Sequence, residues 1–201
     1  GLLLAGDTLD VFVCHFPSRS GGAKESEPYR LYVAHILRTE VDSIMNIRSH
    51  PQAIIMGDFN DYPTNQSILK ILKAEAPPVK TNDLASTTDS ANASTVTPSS
   101  LKLYHLLARK AKSKNFGSYK FRGEWGLLDH LIVSGTLLNQ SNHFFTSEEK
   151  ANVCLLPFLL KDDEKYGDKE PFRTYKGMKY QGGISDHLPI LSLIHISEPT
   201  R

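Results

Sequence analysis

Apolar runs in this chain end in acidic, amide or imidazole groups. IIMGDFNDYP delivers Asp58 and Asn60, LLDHLIVS delivers Asp129, and ISDHLPI delivers Asp186 and His187. A further run, VFVCHFPSR, carries His15 and, just beyond it, Arg19. Polar groups at strand ends converge on one rim of a sheet, where a rigid scaffold can hold them. Clustered oxygens suit a hard cation such as magnesium, which keeps several waters and takes one or two carboxylates plus a phosphate. An imidazole beside it suits general acid–base work near neutral pH. Each residue also has a plainer reading. GDFND is good turn chemistry for Asp58 and Asn60, and His187 alone would suit a structural histidine. Asp129 inside an apolar strand is costly unless partnered; its partner is His187 or the backbone. Arg19 stays open between a phosphate clamp and a surface arginine.

Positioning these groups requires a frame. Residues 9–16 alternate and are rich in β-branched and aromatic types, so a strand with both faces at least partly covered is expected. The AGDT before it suits a hairpin turn, with residues 1–4 ending a preceding strand. Over residues 29–47, Tyr29, Val33, Ile36, Leu37, Val41, Ile44 and Met45 fall on one helical stripe. Residues 53–56 form a short strand that runs into GDFNDYP, and a helix is expected over 67–74. Residues 77–100 shift to Pro, Ser, Thr, Asn and Asp and read as an exposed loop. Ser100 caps a short basic helix over 101–112. Strands are expected over 118–121 and 127–133, joined by RGEWG, and again over 153–156 and 188–194. Between them, 161–183 is charged and glycine-punctuated. This order points to an α/β sandwich, two sheets packed together with helices outside.

The 201 residues suit one globular domain with a sizeable core. Net charge is +1, so any nucleic-acid-binding surface must be local. Lys102, Arg109, Lys110, Lys112, Lys114, Lys120 and Arg122, interleaved with Phe116, Tyr119, Phe121 and Trp125, could track a nucleic-acid backbone. They could equally be a solvated helix face followed by core aromatics. The run Phe172-Arg173-Thr174-Tyr175 is likewise open between substrate contact and a self-packed loop. Cys14 and Cys154 lie in apolar runs and read as buried free thiols, without disulfide or zinc spacing. No stretch approaches a transmembrane span, and GLLLAG is too short for a signal-peptide core. Residues 197–201 add no structural signal and are set aside as a real tail or a cloning remnant.

GDFN, the LDH of LLDHLIVS and SDHLP, in that order, resemble the signatures of the endonuclease/exonuclease/phosphatase (deoxyribonuclease I-like) superfamily. HFPSR resembles the histidine-bearing strand that precedes GDFN in many members. The resemblance, to a bacterial member, implies a four-layer α/β sandwich of two packed mixed sheets flanked by helices. It implies hydrolysis of phosphate esters by metal-assisted water attack, with Mg2+ or Mn2+ as cofactor. Asp58 and Asn60 would lie at the metal and phosphate centre, Asp58 orienting the attacking water, and Asp186 would be the metal-associated aspartate. His187 would contact the scissile phosphate and assist proton transfer, and Asp129 would orient it. His15 resembles the second histidine of nuclease-like members, although Cys14 precedes it where many carry asparagine. His130 takes no catalytic role. The family's amino-terminal metal-binding glutamate has no counterpart before Asp7. Residues 1–196 are therefore expected to be the carboxy-terminal part of a single domain, lacking its amino-terminal strands and weakly active or inactive alone.

The favoured substrate is a nucleic-acid phosphodiester of DNA or RNA, on the strength of His15 and the basic–aromatic tract; the near-neutral charge opposes it. The alternative is a phosphatase or phospholipase-type phosphoesterase of the same fold. A reading of another class is a catalytically inactive binding module, or a fragment of a larger extracellular or cell-surface protein. No protein partner and no compartment follow from the sequence.

Overall fold

The computed structural model describes residues 1–4, 7–79 and 99–197, and shows a mixed α/β arrangement about a five-stranded sheet. Its first strands are β1 (Leu2–Leu4), β2 (Asp7–His15), β3 (Ala53–Asp58) and β4 (Leu103–His105). The hairpin strands β5 (Tyr119–Phe121) and β6 (Glu124–Gly126) come next, then β7 (Asp129–Ser134). The sheet order is β1-β2-β3-β7-β4, with β2 and β3 parallel and the other pairs antiparallel.

Successive side chains of a strand point to opposite faces, and both faces of this sheet are apolar. Ile55, Leu103 and Ile132 join Phe16, Phe59 and the helical layer in one core. Ile54, Tyr104, Leu131 and Val133 join Leu137, Phe144, Val153 and Leu188 in another. On that second side, β8 (Phe144–Phe145) pairs with β15 (His195–Ile196), and β9 (Ala151–Val153) with β14 (Ile190–Ser192). The 161–183 region folds into two hairpins, β10 (Leu160–Asp162) with β11 (Lys169–Pro171) and β12 (Tyr175–Lys176) with β13 (Lys179–Tyr180).

The helical layer is α1 (Glu27–Ile47) and a π-helical turn, Ser67–Leu72, packed against it. Pro28 and Glu27 suit the first turn of α1. Its buried stripe is Arg30, Ala34, Leu37, Val41 and Met45. Tyr29 and Ile36, expected inside, are exposed. Leu37, Val41 and Met45 stay inside as expected, but the stripe's first turns shift to Arg30 and Ala34, where Arg30 faces the buried Asp61.

The expected basic helix over 101–112 is absent. Leu103–His105 instead pairs with β7, and only Lys110–Lys112 forms a 3-10 turn. The apolar run Leu103, Tyr104, Leu106 and Leu107 is buried throughout, so burial and strand pairing override helix propensity. The RGEWG linker supplies strand β6. Most of the expected 77–100 loop, the 5–6 turn and the tail from 198 lie outside the described residues. Among the described residues, no helix is long and apolar enough to cross a membrane.

Gly57 sits where β3 lies closest to β2. Its φ is +131°, and a Cβ there would overlap the Cys14 carbonyl. Gly57→Ala is expected to cost more than about 1 kcal/mol, since a side chain is incompatible with both the φ and the backbone contact. A lowered urea midpoint measures it; an unchanged midpoint refutes the packing argument.

Candidate active site

Register builds the site. His15 is paired with Asp58 across β2–β3, and Asp58 with Asp129 across β3–β7. Residues paired in register share a face, so these three form a row across adjacent strands at one rim. Beyond Asp58 the chain turns sharply, and Asn60 adopts a left-handed φ of 49°, which asparagine tolerates better than most residues. The Asn60 amide N–H donates to Asp58 Oδ1 (2.8 Å), and its side-chain Nδ2 donates to Asp58 Oδ2 (3.2 Å) and to the Phe16 carbonyl (3.0 Å). The Asx turn thus orients the Asp58 carboxylate while the Asn60 amide stitches the turn to β2.

His187 arrives from the second side of the sheet. Its backbone bridges Tyr119, and Leu188 N–H donates to the Ser118 carbonyl (2.7 Å). His187 Nδ1 lies 2.7 Å from Asp129 Oδ2. Ser118 Oγ–H donates to the same carboxylate oxygen. Asp58, Asp129 and His187 each offer a ligand atom within 4.8 Å of the others.

The electrostatics agree with the contacts. Burial raises the Asp58 carboxyl above its ordinary pKa and the Asp129 charge adds to this, against the lowering effects of the Asn60 N–H, His187 and His15. Burial alone would lower His187, but the hydrogen bond and charge of Asp129, then the charges of Asp58 and Asp186, outweigh it and raise the imidazole. Acidic neighbours thus hold His187 toward the imidazolium, while burial foremost makes Asp58 a stronger base than a free aspartate.

His15, Asp58, Asn60, Asp129 and His187 therefore come together. His15 Nε2 is 3.7 Å from Asp58 Oδ2, and its side chain is 77% exposed. Asp186 is exposed, beside His187 and outside the tight cluster. Arg19 lies at the margin, its Cζ 4.8 Å over the Tyr62 ring and its Nε buried without a hydrogen-bond partner. Four of the seven basic residues of the 102–122 tract are engaged within the fold. Lys102 pairs with Glu75, Arg109 with Glu148 and Lys120 with Asp163, while Lys110 donates to the Ala151 carbonyl.

Several supports were not apparent from the sequence. Asp61, next to the Asx turn, faces Arg30 of α1: Nε to Oδ1 is 2.8 Å, with side chains 1% and 2% exposed. The contact is off the line of a hydrogen bond, so it holds by charge. Arg30 spreads its other nitrogens onto Ser26 Oγ and the Ala23 carbonyl, and Ser67 Oγ–H donates to Asp61 Oδ2. The Asp61 carbonyl bonds to His130 Nε2 (2.8 Å). The proton positions follow. Leu107 N–H donates to His105 Nδ1, so His105 carries its proton on Nε2 and gives it to His130 Nδ1; His130 Nε2–H then donates to Asp61. Asp61 was visible only as one more acid in GDFND. Arg30 lies off the apolar stripe expected for 29–47, and Ser118 reads as a strand start.

Residues 2–197 match the model of the endonuclease/exonuclease/phosphatase family. No curated protein matches the sequence. Among solved structures, a mannosyl-6-phosphatase of Bacteroides thetaiotaomicron aligns at 15% identity and a TM-score of 0.49, covering 94% of this chain and 52% of its own. An endonuclease/exonuclease/phosphatase family protein of the same organism aligns at 15% identity and 0.44, covering 92% and 49%. One from Bacteroides vulgatus aligns at 12% and 0.41, covering 86% and 46%. The chain spans about half the length of these structures.

Arg30→Ala should leave Asp61 as an unpaired buried charge and cost about 3–5 kcal/mol, read by chemical denaturation; a loss below about 1 kcal/mol would show that the pair is not structural. Burial, foremost, lowers His130 to about 4 and His105 well below its ordinary value. Both are neutral when folded, so the unfolded chain binds more protons once the pH drops below its histidine pKa of 6.5. Stability should be present above 6.5 and be lost as pH falls from there toward about 4. A His130→Gln variant should show a shallower loss over that window than the parent; equal slopes would remove the pair as its cause.

Proposed function

The chain belongs to the endonuclease/exonuclease/phosphatase family, and from that premise we propose that it hydrolyses phosphate esters with a divalent cation, Mg2+ or Mn2+. The observation that carries this reading is the Asp129–His187 hydrogen bond of 2.7 Å set beside Asp58 and its Asx turn. The donor chemistry fits a hard cation: two carboxylates and an imidazole converge within 4.8 Å, and oxygen ligands suit magnesium. Asp58 and Asn60 would hold it, with Asp186 nearby. When bound, the cation supplies positive charge to a phosphoryl oxygen.

The chain's own residues perform the rest. Asp58, raised by burial, orients an attacking water and takes its proton. Asp129 accepts Nδ1–H of His187 and fixes the tautomer, leaving Nε2 to face the phosphate. The imidazolium stabilises the charge that develops there and donates a proton to the departing oxygen. Asn60 positions Asp58 and the phosphate. His15 and Arg19 line the substrate side. The complete fold is read as a four-layer sandwich, with the strand pairs on the second side belonging to its second sheet.

A nucleic-acid phosphodiester stays the preferred substrate, but one held by few cations, because most of the basic tract is engaged within the fold. A phosphatase acting on small esters is the second reading, and the engagement of those same lysines favours it.

Two measurements test the proposal. In a protein that also carries the amino-terminal half, a chelator should abolish metal-supplemented hydrolysis of a bis-aryl phosphodiester, and Mg2+ or Mn2+ should restore it. Asp129→Asn should lower kcat by roughly 10²–10⁴-fold with little change in KM. In metal-free protein it should also lower the His187 titration midpoint followed by NMR, since the raising contributions of Asp129 are gone. Unaltered kcat together with an unmoved midpoint would remove the dyad from the mechanism.

A further inference from the structure

We propose that Tyr119 and Phe121 form a stacking ledge for an unpaired nucleobase adjoining the scissile phosphate, an assignment that rests on the phosphoesterase reading of the neighbouring site. Strand alternation builds the ledge. In β5 the Tyr119 and Phe121 side chains share one face, and Lys120 takes the other. Lys120 is buried. Its Nζ meets the Asp163 carboxylate at 3.1 Å and the carbonyls of Gly167 and Lys169 at 2.9 and 3.1 Å. This inward anchor fixes the strand that presents the rings. The two rings are nearly parallel, with centroids 6.4 Å apart and an interplanar angle of 13°.

The ledge begins at the reacting centre. The Tyr119 ring lies 4.9 Å from the His187 ring, and the two residues bridge through their backbones. Phe121 lies one strand repeat further out and is 56% exposed. It takes no part in either core. Single exposed apolar side chains are ordinary; what sets Phe121 apart is its near-parallel pairing with a second ring that adjoins His187, a surface that suits a flat ligand.

Guanidinium groups select the ligand's chemistry. Arg122 Cζ stands 5.2 Å over the Phe121 ring, and Arg173 Cζ 5.9 Å over the Tyr119 ring. Arg122 and Gly123 both have positive φ, the type I′ geometry that tightens the hairpin and places Arg122 there. Arg173 Nη2 donates to the Lys120 carbonyl at 3.1 Å, while its Nε is buried without a hydrogen-bond partner. A cation on an aromatic ring draws on its π density. The free face then prefers an electron-rich planar ring to a second cation or to the C–H face of a hexose. Successive parallel rings are what a single strand uses, because every base has a π-face. A duplex keeps its bases in its own stack, and a net charge of +1, with Lys102 and Lys120 paired to acids, gives no overall basic excess that would favour one.

The test is binding to the full chain without metal, in chelator, so that it is independent of turnover. The probe is a short labelled oligothymidylate followed by anisotropy, with thymidine monophosphate, glucose 6-phosphate and a matched duplex as competitors. Phe121→Ala should weaken oligothymidylate binding about 5- to 100-fold, the loss of one base stack, and Phe121→Trp should keep it. Thymidine monophosphate should displace the probe at lower concentration than glucose 6-phosphate, and the duplex should compete poorly. No binding by the parent, or equal binding by Phe121→Ala, overturns the ledge. Ring-dependent binding in which glucose 6-phosphate competes as well as thymidine monophosphate overturns the base assignment in favour of a sugar. Hydrolysis of a bis-aryl phosphodiester with metal reports separately. Its absence from a protein that also carries the amino-terminal half, with Phe121-dependent binding intact, would defeat the phosphoesterase reading and leave the ledge standing.

Discussion

A guanidinium buried on the packed face of a helix cannot stay alone. Arg30 is the largest fully buried side chain described, and desolvating its charge demands a paired acid. Asp61 meets that demand, and it follows Phe59 and Asn60 directly. The helix therefore dictates where the turn after β3 must lie. Ser67 and His130 fix the same residue from other directions, so the loop carrying Asp58 and Asn60 is determined by the core beneath it rather than by its own turn preference.

The rest of the site follows from sheet register. Ile55 and Ile132 are paired across β3 and β7 inside the helical-side core, while Asp58 and Asp129 are paired a few residues along on the same strands. Sliding β7 by one residue would bury Asp129's neighbours wrongly and separate the carboxylates at the same time. The opposite side of the sheet completes the site, since its strand pairs and hairpins bring His187, Tyr119 and Arg173 to the rim.

The candidate site residues stand out in the sequence because they border apolar runs: Asp58 ends β3 and Asp129 opens β7. The β2 and β3 strands and α1 were legible for the same reason. What stayed hidden needed partners distant in sequence. Arg30 lies off the expected apolar stripe, and nothing local indicates that its charge is met by Asp61. The 101–112 stretch carried helix-like spacing and a capping serine, yet its leucines pair with β7, a choice made by tertiary burial. The basic tract stayed open between a binding surface and a solvated face because the acids that pair with Lys102, Arg109 and Lys120, namely Glu75, Glu148 and Asp163, lie outside the window that displayed them. Tyr119 and Phe121 were visible as aromatics, but only strand alternation separates them from Trp125, which packs against the core.

The segment bearing His187 is attached more lightly than the others. The residues of the row belong to a continuous sheet, whereas His187 is held by an isolated bridge to Tyr119, its bond to Asp129 and the short β9–β14 pair that follows. Local opening draws on the least-connected elements first. Releasing that one stretch would dismantle the constellation while both cores stayed closed, so the lifetime of the working arrangement is set by a sub-global fluctuation and not by the melting of the molecule. Hydrogen exchange at Leu188 and Cys154, whose amides bond to the Ser118 and Pro189 carbonyls, would report that lifetime, and a chain that looks fully folded by its sheet could still spend part of its time without its imidazole in place.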